Sequence, residues 1–414
     1  MSVKPYPALS LSSKVESIPE ALSVYVNNLI YGMKRRGDRI TTLSLGEAYF
    51  DLPYFGFEDI DFKSGYHYSE SLGLLDLRKK ISAFYEEQYE AKVDSHNEII
   101  ISAGSKPLIY MALQTILEDG DEVLIHEPAW LSYPEQIRLA GGIPIFIPYN
   151  CSPSDFKSYI NTKTKALILN NPNNPAGKAY AESELRYLYD LLRKNGSYII
   201  VDEAYSDFVS GDEFVSMAKI APDKDGVIIV NSLSKNLGIS GWRVGYAISS
   251  PEIIYGILKL NQHLITCAST ILLMYLAKHF DEILESTLPQ AREVVRFRQE
   301  IVGYARDIGL ATLGGCSTFY LFIDISKYGR SSLDLAMHLL MKYHIGVVPG
   351  SAYGESTDGF IRIGVGAETE KDVKTALDVI KRVVDEGEYD ATLIDTELDR
   401  LNAHPFNSMK SNYQ

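Results

Sequence analysis

Between residues 98 and 230 the chain repeats one pattern: a short run that is apolar on both faces, then a helical or turn-rich connection. Such runs fall at 98–102, 123–126, 143–147, 166–169, 198–201 and 227–230, with helical periodicity at 107–117 and 182–194. A strand that is apolar on alternate positions only needs one covered face. A strand apolar throughout must be covered on both, and strands joined by helices are covered that way in a parallel sheet. Ligands of such sheets bind beyond the carboxyl ends of the strands. The polar residues that close each run are therefore the place to look for chemistry.

On either side the pattern changes. Residues 21–33 and 74–89 read as helices, and 43–46 as a short strand running into a loop. Beyond the sheet region, strand-like 319–325 and 360–365 alternate with helical 333–343 and 370–384, which suggests a smaller α+β unit. A chain of 414 residues exceeds what one simple core organises. The expected α/β architecture is an N-terminal arm and helix (1–45), a large domain (46–290), a small α+β domain (291–387, joined by part of the arm) and a polar, peripheral tail (388–414). The net charge of −14 argues against nucleic acid as a partner. No apolar run is long enough to span a bilayer, and residues 1–14 lack the apolar core of a signal peptide. Cys151, Cys267 and Cys316 are too few and too scattered for a disulfide framework or a zinc site, which favours a reducing, cytoplasmic compartment.

Several strand ends carry reactive residues. The run at 227–230 leads into Ser232, Ser234 and Lys235, then Gly241-Trp242-Arg243-Val244-Gly245-Tyr246. The lysine could reach a ligand carbonyl, and the serines and the arginine fork could donate to an anion. Read alone, the segment could equally be a surface loop. Asp202 and Tyr205 close the run at 198–201. A buried acid needs a cationic partner, although Asp202 alone also suits a helix cap. Asn174 lies in Asn170-Asn171-Pro172-Asn173-Asn174-Pro175, which ordinary turn chemistry would also explain. Gly104-Ser105-Lys106 opens a helix, either as an anion site or as a simple cap. Trp130 follows the run at 123–126, where it could stack on a ring or pack in the core. Arg362 interrupts the strand at 360–365; a buried arginine wants a carboxylate, supplied by a substrate or by the chain itself.

In their order along the chain these motifs resemble the class I/II aminotransferases, enzymes of pyridoxal 5′-phosphate fold type I, over roughly residues 40 to 385. The match includes S-x-S-K at Ser232 to Lys235, with Arg243 eight residues on, D-E-x-Y at Asp202 to Tyr205, and Y-x(4)-G-x(3)-L-R from Tyr68. The resemblance implies that Lys235 forms the Schiff base. Ser105, Lys106, Ser232 and Arg243 would hold the cofactor phosphate, with Tyr68 reaching the phosphate of a partner subunit in a homodimer. Trp130 would stack on the pyridine ring, Asp202 would pair with its nitrogen, and Asn174 and Tyr205 would meet its phenolic oxygen. Gly46 and Arg362 would take the substrate carboxylate, and Asn174 would also contact the substrate. The expected reaction moves an amino group between an L-amino acid and a 2-keto acid. Elimination, replacement or cyclisation would use the same residues, and a non-catalytic relative binding an amino acid or the cofactor is a further alternative. Two departures stand out. Ala176 replaces the usual Thr of N-P-T-G, and Ala48-Tyr49 replaces the usual Pro-Asp near the side-chain pocket.

Overall fold

The computed structural model describes residues 10–210, 214–401 and 403. Readings that fell on 1–9, and on 402 and 404–414 of the tail, lie outside the described residues.

Seven strands form the main sheet: β1 (Ile99–Ser102), β2 (Glu122–His126), β3 (Ile143–Ile147), β4 (Thr164–Asn170), β5 (Tyr198–Asp202), β6 (Val227–Ser232) and β7 (Gly245–Ser249). Their spatial order is β1-β7-β6-β5-β4-β2-β3. Every pairing is parallel except the two made by β7, which runs against both neighbours. The apolar runs split by side-chain parity. Ile99, Ile101, Leu124, Leu167, Leu169, Ile199, Val201, Val227 and Ile229 face one core. Ile100, Val123, Ile125, Ala166, Ile168, Ile200, Ile228 and Val230 face the other. The first core is closed by helices Leu75–Tyr89 (α1) and Glu182–Asn195 (α2), the second by Ser105–Ile116 (α3) and Pro251–Leu264 (α4). Burying both faces explains why these strands show no polar alternation.

A three-stranded antiparallel sheet follows: β8 (Tyr320–Asp324), β9 (Val348–Pro349) and β10 (Phe360–Gly364), in the order β9-β10-β8. Leu321, Ile323, Ile361 and Ile363 pack on Val295 and Ile301 from helix Thr270–Asp307 (α5) and on Val373, Leu377 and Ile380 from helix Glu370–Glu386 (α6). Phe322, Val348 and Phe360 pack on the other side, against Tyr25 and Leu29 of the N-terminal helix Leu22–Arg35.

Three features differ from the reading of the sequence. Where a peripheral tail is expected, Ala391–Arg400 forms a helix whose Ile394 and Leu398 are buried in that same cluster. Two apolar residues four apart are enough to dock one helical face. α5 breaks at His279, and the part after this kink, with Pro289 inside it, runs through the expected boundary at 290–291. The strand expected at 43–46 lies slightly earlier, at Thr41–Thr42, paired in parallel with Ile345–Gly346.

Candidate active site

The register of the main sheet gathers its chemistry at one edge. Asn170 pairs with Asp202, Asp202 with Val230, and both Ser102 and Ser232 with Gly245. Because β7 is reversed, its entrance lies at the edge where its neighbours end. Arg243 therefore stands beside the start of helix α3. All but one of the residues singled out in the sequence line a single cavity of about 200 Å³ here: Gly46, Ser105, Lys106, Trp130, Asn174, Asp202, Tyr205, Ser232, Lys235, Arg243 and Arg362. Tyr68 does not. It is 86% exposed and borders a separate groove with Ser64, Glu70 and Thr270.

Lys235 sits in the short helix Leu233–Asn236 directly after β6, and its Nζ donates to the Gly46 carbonyl at 2.5 Å. Burial lowers its pKa to about 8, aided by Arg362 and Arg243 and opposed by Glu47 and Asp202. Asp202 is buried at the end of β5. Its Oδ2 accepts from the Tyr133 hydroxyl at 2.7 Å and its Oδ1 from the Ala204 amide at 3.1 Å. No cation lies within ion-pair distance of it among the described residues. Burial raises its pKa, while these two donors and the charge of Lys235 hold the carboxyl down. Its backbone carbonyl accepts from Asn170, so it is a strand residue and not a helix cap.

Arg362 is buried in the middle of β10 and points into the same cavity. Its two terminal nitrogens donate to Asn174 Oδ1 at 3.2 Å and to the Ser44 carbonyl at 2.7 Å, and its Nε has no partner. The guanidinium lies over the rings of Tyr320 (4.4 Å) and Tyr353 (5.5 Å). No carboxylate pairs with it among the described residues, so an internal ion pair does not account for it. Asn174 also donates to the Tyr205 hydroxyl at 3.2 Å, and that hydroxyl lies 3.0 Å from the Tyr320 hydroxyl.

At the opposite end, helix α3 begins at Gly104 without any side-chain cap, leaving its first amides free. Gly104 has φ 97°, and a β-carbon there would stand 2.6 Å from an Arg243 terminal nitrogen. Uncapped amides, a guanidinium and no side chain between them make a cradle for an anion such as phosphate. The Ser232 hydroxyl points at its own helix, accepting from the Ser234 amide at 3.2 Å. The Lys106 side chain lies over Trp130, with Nζ 4.8 Å from the ring centre, and the Trp130 ring stands edge-to-face on Tyr133.

Tyr133 and Tyr320 were not singled out in the sequence. Neither sits in a distinctive motif, and the chain has 28 tyrosines. Ser23, Asn27 and Ser44 also line the cavity, with Ser44 donating to Asn27 at 2.7 Å.

Comparison with known proteins agrees with this geometry. Residues 58–380 match the family described as aminotransferase class I and II. The (5-formylfuran-3-yl)methyl phosphate transaminase of Methanocaldococcus jannaschii is 33% identical over 84% of this chain and 92% of its own length. The aspartate aminotransferase of Pyrococcus abyssi is 31% identical with the same coverage. Among solved structures, aspartate aminotransferase from Thermus thermophilus with maleate superposes with a TM-score of 0.82, at 27% identity, over 91% of this chain and all of that one. This chain belongs to the class I and II aminotransferase family.

Proposed function

We propose that this aminotransferase moves the amino group of an amino acid to a 2-keto acid at the cavity around Lys235, with pyridoxal 5′-phosphate held between the Gly104 cradle and Asp202. The observation that carries this reading is a pair of buried charges of opposite sign, Asp202 and Arg362. Neither has an ionic partner within 4 Å among the described residues, and both border the cavity that holds Lys235.

The residues present fit the cofactor. The uncapped start of α3, with Arg243, Ser232 and Ser234, suits its phosphate. Asp202 suits a protonated ring nitrogen, the Trp130 plane the ring, and Asn174 with Tyr205 the phenolic oxygen. When bound, the cofactor supplies a carbonyl that accepts an amine and a ring that withdraws electrons from the carbon bearing it. The chain does the rest. Lys235 Nζ, with a pKa near 8, exists partly as the free amine near neutral pH and can take a proton from a substrate carbon and return it. Arg362 presents two donor nitrogens in one plane, the arrangement that orients a carboxylate. Maleate, named with the Thermus structure, is a dicarboxylate, which agrees with carboxylate recognition. Asp202, held by Tyr133 and the Ala204 amide, keeps its negative charge pointed at one place.

Tyr68 supports a homodimer. It is exposed and far from this chain's own cavity, which suits a hydroxyl serving the site of a second copy. No described helix is long and apolar enough to cross a membrane. Cys151, Cys267 and Cys316 form no disulfide, which supports a reducing, cytoplasmic setting.

The test is borohydride reduction of the cofactor-loaded enzyme, followed by peptide mapping, together with a screen of amino acids for the absorbance change on amino transfer. Label on Lys235 and keto acid as product are expected. Label on another lysine would overturn the assignment.

A further inference from the structure

Behind the cavity wall, on the side away from the ligand space, lies a largely buried polar chain, with Tyr89 and Asp207 half-buried, that the reaction above does not use. Asn236, the residue after Lys235, donates through Nδ2 to Asp207 Oδ2 at 2.8 Å. Asp207 Oδ1 accepts from the Tyr89 hydroxyl at 2.5 Å, and that hydroxyl lies 2.9 Å from Ser206 Oγ. Ser206 Oγ accepts from Asn231 Nδ2 at 3.3 Å, and the same nitrogen lies 3.3 Å from the Tyr85 hydroxyl. Tyr85 in turn donates to Glu203 at 3.2 Å. Glu203 also accepts from the Ser216 hydroxyl and the Met217 amide.

The members are not scattered. Glu203, Ser206 and Asp207 flank Tyr205 in one turn, while Asn231 and Asn236 flank Lys235 in the other. Tyr85 and Tyr89 of α1 clamp both turns from below. Burying Glu203 and half-burying Asp207 is costly. Asp207 has no ion pair within 4 Å among the described residues, and Arg292 is the cation that acts on it from farther off. The main sheet could hold these turns with apolar side chains, as it does elsewhere. A costly polar chain that touches both reactive turns, and ends one residue from the lysine, has another use. Asn236 Oδ1 has no partner, so its Nδ2 contact with Asp207 is what orients that side chain.

We propose that Asp207, acting through Asn236 and braced by Tyr89, is a positioning residue that fixes the Lys235 helix relative to the Tyr205 turn. The proposal rests on the reading of Lys235 given above. Without the Asp207–Asn236 bond the short helix Leu233–Asn236 keeps its serine cap, the Lys235 bond to Gly46, the bond from the Leu233 amide to the Val244 carbonyl and the burial of Leu233, but it loses its side-chain tie to the Tyr205 turn, and the lysine nitrogen samples more positions. Misplacing a reacting group by a fraction of an ångström to an ångström is expensive in rate.

The experiment compares the wild-type holoenzyme with Asn236→Ala, which cuts the bond at the lysine side, and with Tyr89→Phe, which loosens Asp207 without touching the lysine helix. The readouts are the pH titration of the lysine-bound cofactor absorbance, kcat and KM separately, and the melting temperature. Both variants should shift the titration midpoint in the same direction. For Asn236→Ala we expect kcat to fall on the order of tenfold with KM nearly unchanged. Restoring the donor with Asn236→Gln should recover part of the midpoint. Variants that melt earlier yet keep the wild-type midpoint and kcat would show the network to be structural only, and would overturn the proposal. Lys235→Ala is the control for the underlying reading: a lysine-type band that survives in it refutes the Lys235 assignment itself, a different result from an unshifted band in Asn236→Ala.

Discussion

Removing the positive charge of Lys235 should stabilise the cofactor-free protein at neutral pH, although it abolishes function. The lysine pKa falls from an ordinary 10.5 to about 8 through burial. A shift of that size opposes folding by about 3 kcal/mol while both states are protonated, at about 1.4 kcal/mol per pH unit. Lys235→Met keeps the chain length and removes the charge, but also the hydrogen bond to the Gly46 carbonyl, which costs about 1 kcal/mol. The side chain keeps one face toward the open cavity, so the net gain at pH 7 is about 2 kcal/mol at most. The sign over pH follows from the depressed value. Between pH 8 and 10.5 the unfolded wild type holds a proton that the folded one does not, so its stability rises with pH while the variant has no such term. The advantage of the variant should therefore shrink from about 2 kcal/mol at pH 7 to near zero by about pH 9.5. Urea unfolding of both cofactor-free proteins at the two pH values measures this directly. A variant that is less stable at pH 7, or a difference that does not change with pH, would refute the argument that the lysine carries a desolvation penalty.

Three further outcomes are expected. Asp202→Asn should retain the cofactor through the Gly104 cradle yet slow exchange of the substrate α-proton by orders of magnitude, as followed by NMR in heavy water; a wild-type exchange rate would make Asp202 structural. Arg362→Lys replaces a planar fork by a point charge and should raise KM for the amino acid roughly tenfold or more while leaving the cofactor absorbance unchanged; an unchanged KM would place carboxylate binding elsewhere. Tyr68→Phe should weaken cofactor retention by about 1–3 kcal/mol, the worth of one hydrogen bond to a charged group, in a protein that sediments as a dimer; an active monomer would contradict the shared site.

The parts of the site that were legible in the sequence are those set by where strands stop. A run apolar on both faces fixes the edge of a two-sided sheet, so Asp202, Asn174 and Lys235 could be placed together before any contact was known. Tyr133 and Tyr320 were not legible, because each meets the site across the fold: Tyr133 from the far side of Asp202, and Tyr320 from another sheet. The strand Gly245–Ser249 was hidden for a different reason. It follows a glycine-rich turn and reads as the end of that motif, although its reversal is what brings Arg243 to the start of α3. Where cap and surface-loop readings stood as alternatives, these side chains instead line a cavity, an outcome decided by tertiary packing and not by local propensity.

The long helix α5 has a mechanical consequence. Its first half lies under the main sheet and its second half carries the small one, with Pro289 between them. The backbone already leaves helical geometry at His279, and Pro289, ten residues on, removes one rung of the hydrogen-bond ladder and makes that point compliant as well. From Pro289 to Asp307 the helix is about 27 Å long, so a bend of about 5° swings its end by roughly 2 Å. Arg298 lies on that swinging half and donates to the Tyr320 carbonyl at 2.8 Å. The Tyr320 ring is the platform under the Arg362 guanidinium. The helix is thus a lever whose output is geared to the wall of the cavity, and stiffening its fulcrum would set how far that wall can travel.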